Sequence, residues 1–148
     1  MRSPLTLAAA EANVNRTWAF AGTAMAIFTF TLVFLYPRFS TGAIDPVLFQ
    51  ISLAVIGLAI FSFVFSMISY YTHTLALSLA IGKAERFGQR GEEFWLVGFS
   101  LLLLEPSLIL FSVGLVVVGL VLLALWIAYF IFAVYAFTIT RSWSRQAK

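Results

Sequence analysis

Long runs of apolar residues, separated by short polar clusters, dominate this sequence of 148 residues. A helix needs about 20 apolar residues to cross a hydrocarbon core of about 30 Å. The runs predict transmembrane helices at about 18–36, 47–70, 95–111 and 116–138. The pattern therefore predicts an all-α fold, a polytopic membrane protein whose single domain of four transmembrane helices forms two hairpins.

The second apolar run continues beyond the length that a bilayer requires. Asp45 and Pro46 suit the start of a helix, because Asp caps the first turn and Pro fits into it. The first plausible stop is Gly82, which would make this helix about 52 Å long at about 1.5 Å per residue. We expect residues 72–82 to extend towards the cytoplasm, where they tilt, lie along the interface or project into water.

The segment from Lys83 to Glu93 differs from the apolar runs on either side. It is rich in charged residues and contains Gly88 and Gly91. This composition predicts a loop between the second and third transmembrane helices.

The apolar run at residues 94–139 contains Glu105 as its one charged residue. At helical rise it would stretch about 69 Å, so it must fold back once and hold two transmembrane helices. The best candidate for the turn is Ser112-Val113-Gly114. A re-entrant loop with its tip at Glu105-Pro106 is the alternative, and it would leave three complete crossings.

The basic residues predict the orientation in the membrane. With four crossings, eight of the nine basic residues fall on one side, and Arg38 lies opposite. The positive-inside rule makes that side the cytoplasm, so both termini are predicted to be cytoplasmic, in a cell membrane. The eight residues are Arg2, Arg16, Lys83, Arg86, Arg90, Arg141, Arg145 and Lys148.

The composition excludes several kinds of chemistry. Hydrophobic residues make up 62% of the chain, charged residues 10%, and Cys is absent. Disulfides, thiolate metal sites and iron–sulfur clusters are thereby excluded. Nothing resembles a catalytic triad, a metal-ligand pair or a phosphate-binding loop. We therefore expect no enzyme activity, cofactor, metal site or nucleic-acid partner.

Glu105 is the main candidate for chemistry in the apolar runs. A carboxylate within the bilayer is costly, and such residues usually face the interior of a bundle or a hydrated cavity. Pro106 removes a backbone donor and leaves the carbonyl near Leu102 without its usual partner. The pair predicts either a cation or proton site, or a kink at which a neutral Glu bonds a neighbouring helix.

A stripe of small and polar residues runs along the second predicted helix at spacings of three, four and seven, which keep one helical face. Such stripes usually let helices pack closely, and this one could also line a hydrated path from Glu105. The histidine at its end could titrate near neutral pH or be a solvated interfacial side chain. The stripe contains Ser52, Ala59, Ser62, Ser66, Ser69 and His73.

Two functions fit this pattern. The first is an accessory or assembly subunit of a larger membrane complex, whose partners are the lipid bilayer and other membrane subunits. The alternative is a homo-oligomeric ion channel or small transporter that uses Glu105, because four short helices alone have little room for a pore. The direction in which Glu105 faces distinguishes them. The candidate ion or proton site comprises Glu105, Ser62, Ser66, Ser69 and His73.

Overall fold

The computed structural model describes residues 4–78 and 84–146, and all regular secondary structure in these ranges is helical. The predicted all-α class is therefore confirmed. The elements are α1 (Pro4–Phe30), a π-helical turn (Thr31–Leu35), α2 (Tyr36–Ser40), α3 (Pro46–Ser78), α4 (Ala84–Ser112) and α5 (Val116–Gln146).

Four helical segments within the described ranges are long and apolar enough to cross a membrane. The first combines α1, the π-helical turn and α2, because helical backbone continues through all three. These segments indicate a membrane protein. They are Glu11–Ser40, Pro46–Leu77, Arg86–Ser112 and Val116–Ile139.

Helices α3 and α4 form an antiparallel hairpin with the most extensive interface in the described structure. Buried residues of α3 recur every three or four positions, as in left-handed helix packing. The facing row of α4 recurs every seven positions and consists of small residues apart from one acid. The α3 set is Phe49, Ser52, Ile56, Ala59, Phe63, Ser66 and Tyr70; the α4 row is Ala84, Gly91, Gly98, Glu105 and Ser112.

The glycines of this row let the two helices approach closely. A Cβ atom at Gly98 would lie 3.1 Å from the Phe63 ring and 3.2 Å from the backbone oxygen of Ala59. A Cβ atom at Gly91 would lie 2.8 Å from the Tyr70 ring. Large side chains of α3 thus lie over glycines of α4, and small residues set the interaxial distance.

Helix α1 packs antiparallel to α3 and also touches α4. The Phe20 ring stacks on Phe63 at 5.8 Å and meets the Phe99 ring edge-on at 5.3 Å. Ala21 and Ala24 are buried in the same core. Aromatic rings therefore fill the centre of the α1–α3–α4 group, while alanines keep its backbones close.

Helix α5 reverses direction and packs along α4. Gly114 has a φ of 82°, which favours glycine, so the chain turns at the predicted Ser112–Gly114 segment. The Ser107 hydroxyl donates to the carbonyl of Gly119 at 2.8 Å, and the Trp126 indole donates to the carbonyl of Ser100 at 2.8 Å. Most other side chains of α5 are exposed on the protein alone.

The prediction of a loop at Lys83–Glu93 is wrong for its described part, because α4 begins at Ala84. Gly88 faces the His73 ring and Gly91 faces the Tyr70 ring, so both glycines serve helix packing instead of breaking the helix. The predicted stop at Gly82, the remainder of the 72–82 extension beyond Ser78, and Lys83 lie outside the described residues.

Candidate functional site

Glu105 lies inside the molecule, between α3 and α4. Its side chain is 1% exposed. The Ser52 hydroxyl donates a hydrogen bond of 2.5 Å to its Oε1 atom. A cross-helix bond of this kind is short and specific, because a buried carboxyl group is a strong acceptor and has little water to compete.

The second carboxyl oxygen of Glu105 has no such partner. Oε2 is buried and accepts no hydrogen bond from any residue in the described ranges. A buried polar atom without a partner costs about 1–3 kcal/mol, and an ionised carboxylate in apolar surroundings costs far more. One oxygen of the carboxyl group is thus bonded by the protein, and the other has no partner among the described residues.

Glu105 lies about 10 Å, or seven residues, from the end of α4 at Ser112. This end of the bundle is well defined, because the backbone N–H of Asp45 donates to the carbonyl of Ser112 at 3.0 Å. We call it the Gly114 end, after the turn that closes it; Gly42, with a φ of 71°, lies in the other connection there.

Two irregularities of helical backbone flank the Gly114 end. Pro106 stands inside α4, so the carbonyl of Leu102 has no N–H four residues later. In the first segment, the π-helical turn Thr31–Leu35 interrupts the α-helical pattern shortly before Pro37. π-Helical turns within α-helices occur frequently at functional sites.

Thr31, the first residue of the π-helical turn, carries a second unpartnered oxygen. Its side chain is 0% exposed, and its Oγ1 atom has no hydrogen-bond partner in the described structure. Thr17, Thr23 and Thr29 in α1 each donate to the carbonyl four residues earlier. The Thr31 hydroxyl therefore differs from the ordinary threonines of its own helix, which satisfy themselves locally.

Helical register brings Thr31 to the height of Ser52. Phe20 of α1 stacks on Phe63 of α3. Thr31 follows Phe20 by eleven residues and Ser52 precedes Phe63 by eleven residues, in both cases towards the Gly114 end. Eleven residues correspond to about 16 Å along each helix. Ser52, Thr31 and Glu105 thus occupy one level of the three-helix group, to within about one helical turn.

The predicted stripe of α3 divides into two rows. Ser52 and Ser66 are fully buried and bond across to α4, since the Ser66 hydroxyl donates to the carbonyl of Gly91 at 2.7 Å. Ser62 and Ser69 instead donate to carbonyls of their own helix at 2.8 Å. The prediction of one polar face is therefore wrong, because the buried seam continues on the side of the aromatic residues.

The structure also separates Ser62 from Glu105. Ser62 lies ten residues, or about 15 Å, from Ser52 along α3. Ser62 therefore does not lie at the level of Glu105, because Ser52 occupies that level. Sequence analysis placed Ser52 in the stripe but did not assign it to the candidate site.

His73 closes the opposite end of the α3–α4 seam. Its Nδ1 atom lies 2.6 Å from the carbonyl oxygen of Ala84, so Nδ1 carries a hydrogen and donates it. Its ring is half-buried and packs over Gly88. The structure therefore gives His73 a role in joining the two helices, at a distance from Glu105 that excludes contact.

A cluster around Arg16 at the same end was not identified from the sequence. The guanidinium lies 4.1 Å above the Trp95 ring and 3.5 Å from a carboxylate oxygen of Glu92, and it donates to the Tyr70 hydroxyl at 3.4 Å. Contacts of this α1 arginine with both α3 and α4 tie α1 to the hairpin. The only sequence signal was an arginine next to an apolar run, which is also typical of a lipid headgroup contact.

A groove of about 280 Å³ separates part of α4 from α5. Its lining is almost entirely apolar and comes from both helices, with Glu93 at one end. It is separate from Glu105, because it lies beside the half of α4 that precedes Leu101. Its lining includes Leu96, Val97, Tyr129, Phe130, Ala133 and Phe137.

Comparisons with known proteins do not add a family or a function to this geometry. No protein-family model, curated protein or solved structure matches the chain.

Proposed function

We propose that this chain is a small multi-pass protein of the cell membrane that serves as an accessory or assembly subunit of a larger membrane complex. The observation that carries the proposal is the direction of Glu105. Its carboxyl group points into the chain's own α1–α3–α4 group and bonds Ser52. Copies assembled around an axis would then not present this acid to a shared path without rearrangement.

The surface of α5 supports the same proposal. This helix contacts α4 along one side, and its remaining surface offers apolar side chains such as Val117, Leu125 and Phe132, each more than 60% exposed on the protein alone. Lipid can cover such a surface, and so can the helices of another membrane protein. With few polar groups outside the core, the described structure is better suited to association than to chemistry on a soluble substrate.

The proposed orientation has both termini in the cytoplasm. Arg16, Arg86 and Arg90 lie at the end of the bundle opposite Gly114, and Arg38 lies at the Gly114 end. The positive-inside rule assigns the first end to the cytoplasm. Arg141 and Arg145 belong to the last turns of α5, which runs towards that end; Arg2 and Lys148 lie outside the described residues.

Native mass spectrometry tests the subunit proposal. The tagged chain is purified from its native membranes in mild detergent, and its complexes are weighed without dissociation. We expect other membrane proteins in fixed stoichiometry with the chain. A homogeneous assembly that contains only copies of the chain would contradict the proposal.

The second candidate function is a homo-oligomeric channel or small transporter in which Glu105 binds the transported cation or proton. The unpartnered Oε2 atom favours it, since a buried carboxyl oxygen with free lone pairs is suited to such a ligand. Glu105→Gln should then abolish flux in reconstituted vesicles while oligomeric state stays unchanged. Flux equal to that of the unmodified protein would exclude this candidate.

A further inference from the structure

The hydrogen bond from Ser52 assigns different roles to the two oxygens of Glu105. Because the hydroxyl donates to Oε1, that atom acts as an acceptor, which is the role of a carbonyl oxygen. Oε2 receives no hydrogen from the described residues. An ionised carboxylate with one donor in this buried position would be strongly destabilised. A hydrogen on Oε2 removes the charge and leaves the bond to Ser52 in place.

An acceptor for that hydrogen is available in the π-helical turn that follows α1. Thr31 reaches the same level of the three-helix group, and its hydroxyl oxygen is fully buried and unpartnered. A hydrogen bond from Oε2–H to Oγ1 requires that the two side chains turn towards each other at this level. One such bond would satisfy the two buried oxygens that the described helices leave open in this region.

The surrounding backbone provides a route for exchange. Thr31 begins the π-helical turn, and Pro106 follows Glu105 directly, so both helices are irregular beside the carboxyl group. π-Helical turns within α-helices occur frequently at functional sites. The Gly114 end is about 10 Å away, which makes a local opening towards that end sufficient.

We propose that Ser52, Thr31 and Glu105 form a binding site for one exchangeable proton, which is held on Oε2 of Glu105. The proton is the ligand: it joins the carboxylate as O–H and leaves as a hydronium ion when water reaches the site. The proposal does not depend on the accessory role, because a subunit, a channel or a transporter could each carry such a site.

Infrared spectroscopy of the purified protein in lipid bilayers tests this proposal. At neutral pH we expect the C=O stretching band of a protonated carboxyl group in the unmodified protein and its loss in Glu105→Gln. In deuterated water the band should shift as the proton exchanges. The proposal would be overturned if only carboxylate bands appear at neutral pH, or if the protonated carboxyl band persists in Glu105→Gln. A protonated carboxyl band that does not shift in deuterated water would also overturn it.

Two matched pairs keep the test decisive even if Glu105→Gln does not fold. Ser52→Ala removes the bond to Oε1 and should move the C=O band to higher frequency, whereas Ser62→Ala should leave it in place. Thr31→Val should also move the band, whereas Thr29→Val should not, since Thr29 bonds its own helix. If both members of each pair leave the band unchanged, the three-residue site is refuted.

Sodium provides the last test. Addition of sodium chloride at constant pH should leave the protonated band unchanged. Conversion of the protonated carboxyl band to carboxylate bands would show that sodium replaces the proton at the site. The proposal of a proton site would then be wrong.

Discussion

The close contact of α3 and α4 at Gly98 allows a quantitative test of the fold. A Cβ atom there would lie 3.1 Å from the Phe63 ring, which is fully buried, and 3.2 Å from the carbonyl oxygen of Ala59. Neither neighbour can withdraw alone, because one belongs to the core and the other to the backbone of α3. Gly98→Ala should therefore push the two helices apart by a few tenths of an ångström.

Gly57→Ala provides the matched control. Gly57 also lies within a long apolar helix, but a Cβ atom there would meet no described heavy atom within 4 Å. Both substitutions gain helix propensity of about 1 kcal/mol. Gly98→Ala alone adds the cost of overpacking, about 1–3 kcal/mol. The free energy of unfolding should therefore be about 1–3 kcal/mol lower in Gly98→Ala than in Gly57→Ala.

Reversible unfolding in mixed micelles measures this difference. The protein is titrated with sodium dodecyl sulfate, and helix content is followed by circular dichroism. Gly91→Ala serves as a second variant, since its Cβ would lie 2.8 Å from the Tyr70 ring and should cause at least as large a loss. Equal stability of Gly98→Ala and Gly57→Ala would refute the close packing of α3 against α4 at this level.

Two further predictions concern the core bond and the topology. Ser52→Ala removes the donor to Glu105 and should lower the free energy of unfolding by about 1–2 kcal/mol. Ser62→Ala loses a bond within its own helix and should change the free energy of unfolding by less than about 0.5 kcal/mol. Equal losses in the same unfolding assay would contradict the bond between Ser52 and Glu105. Single cysteines at Ser40 and Gln89, both exposed, should react with a membrane-impermeant maleimide from opposite sides, and reaction from one side would contradict the proposed orientation.

The sequence predicted the helical class and the turn at Ser112-Val113-Gly114 because both depend on local patterns. Apolar runs have lengths that the bilayer constrains, and a glycine between two such runs is a strong turn signal. The sequence did not predict the start of α4, because the charged segment that contains Gly88 and Gly91 has the composition of a loop. Their role depends on the rings of His73 and Tyr70, which lie on another helix.

The polarity of the α3 residues also could not predict which face of this helix is buried. Both serine rows recur every seven residues, and only the packed structure distinguishes them. A spacing signal was nevertheless present: Ala84, Gly91 and Gly98 repeat every seven residues, which is the signature of a helix seam. Its continuation reaches Glu105 and would have placed the acid at the α3–α4 interface, although nothing in the sequence singles out Thr31.

The position of Glu105 within this row argues against a purely structural role. Its row neighbours Gly98 and Ser112 are small, as close packing requires, and an acid interrupts that pattern. The bond to Ser52 accounts for Oε1, and a kink at Pro106 needs no carboxyl group. Neither feature accounts for Oε2, whose burial destabilises the fold unless something binds there. A proton is the smallest ligand that resolves this cost without moving the helices, and it can leave when the irregular backbone opens. The same property would be available to the proposed complex if the chain is one of its subunits.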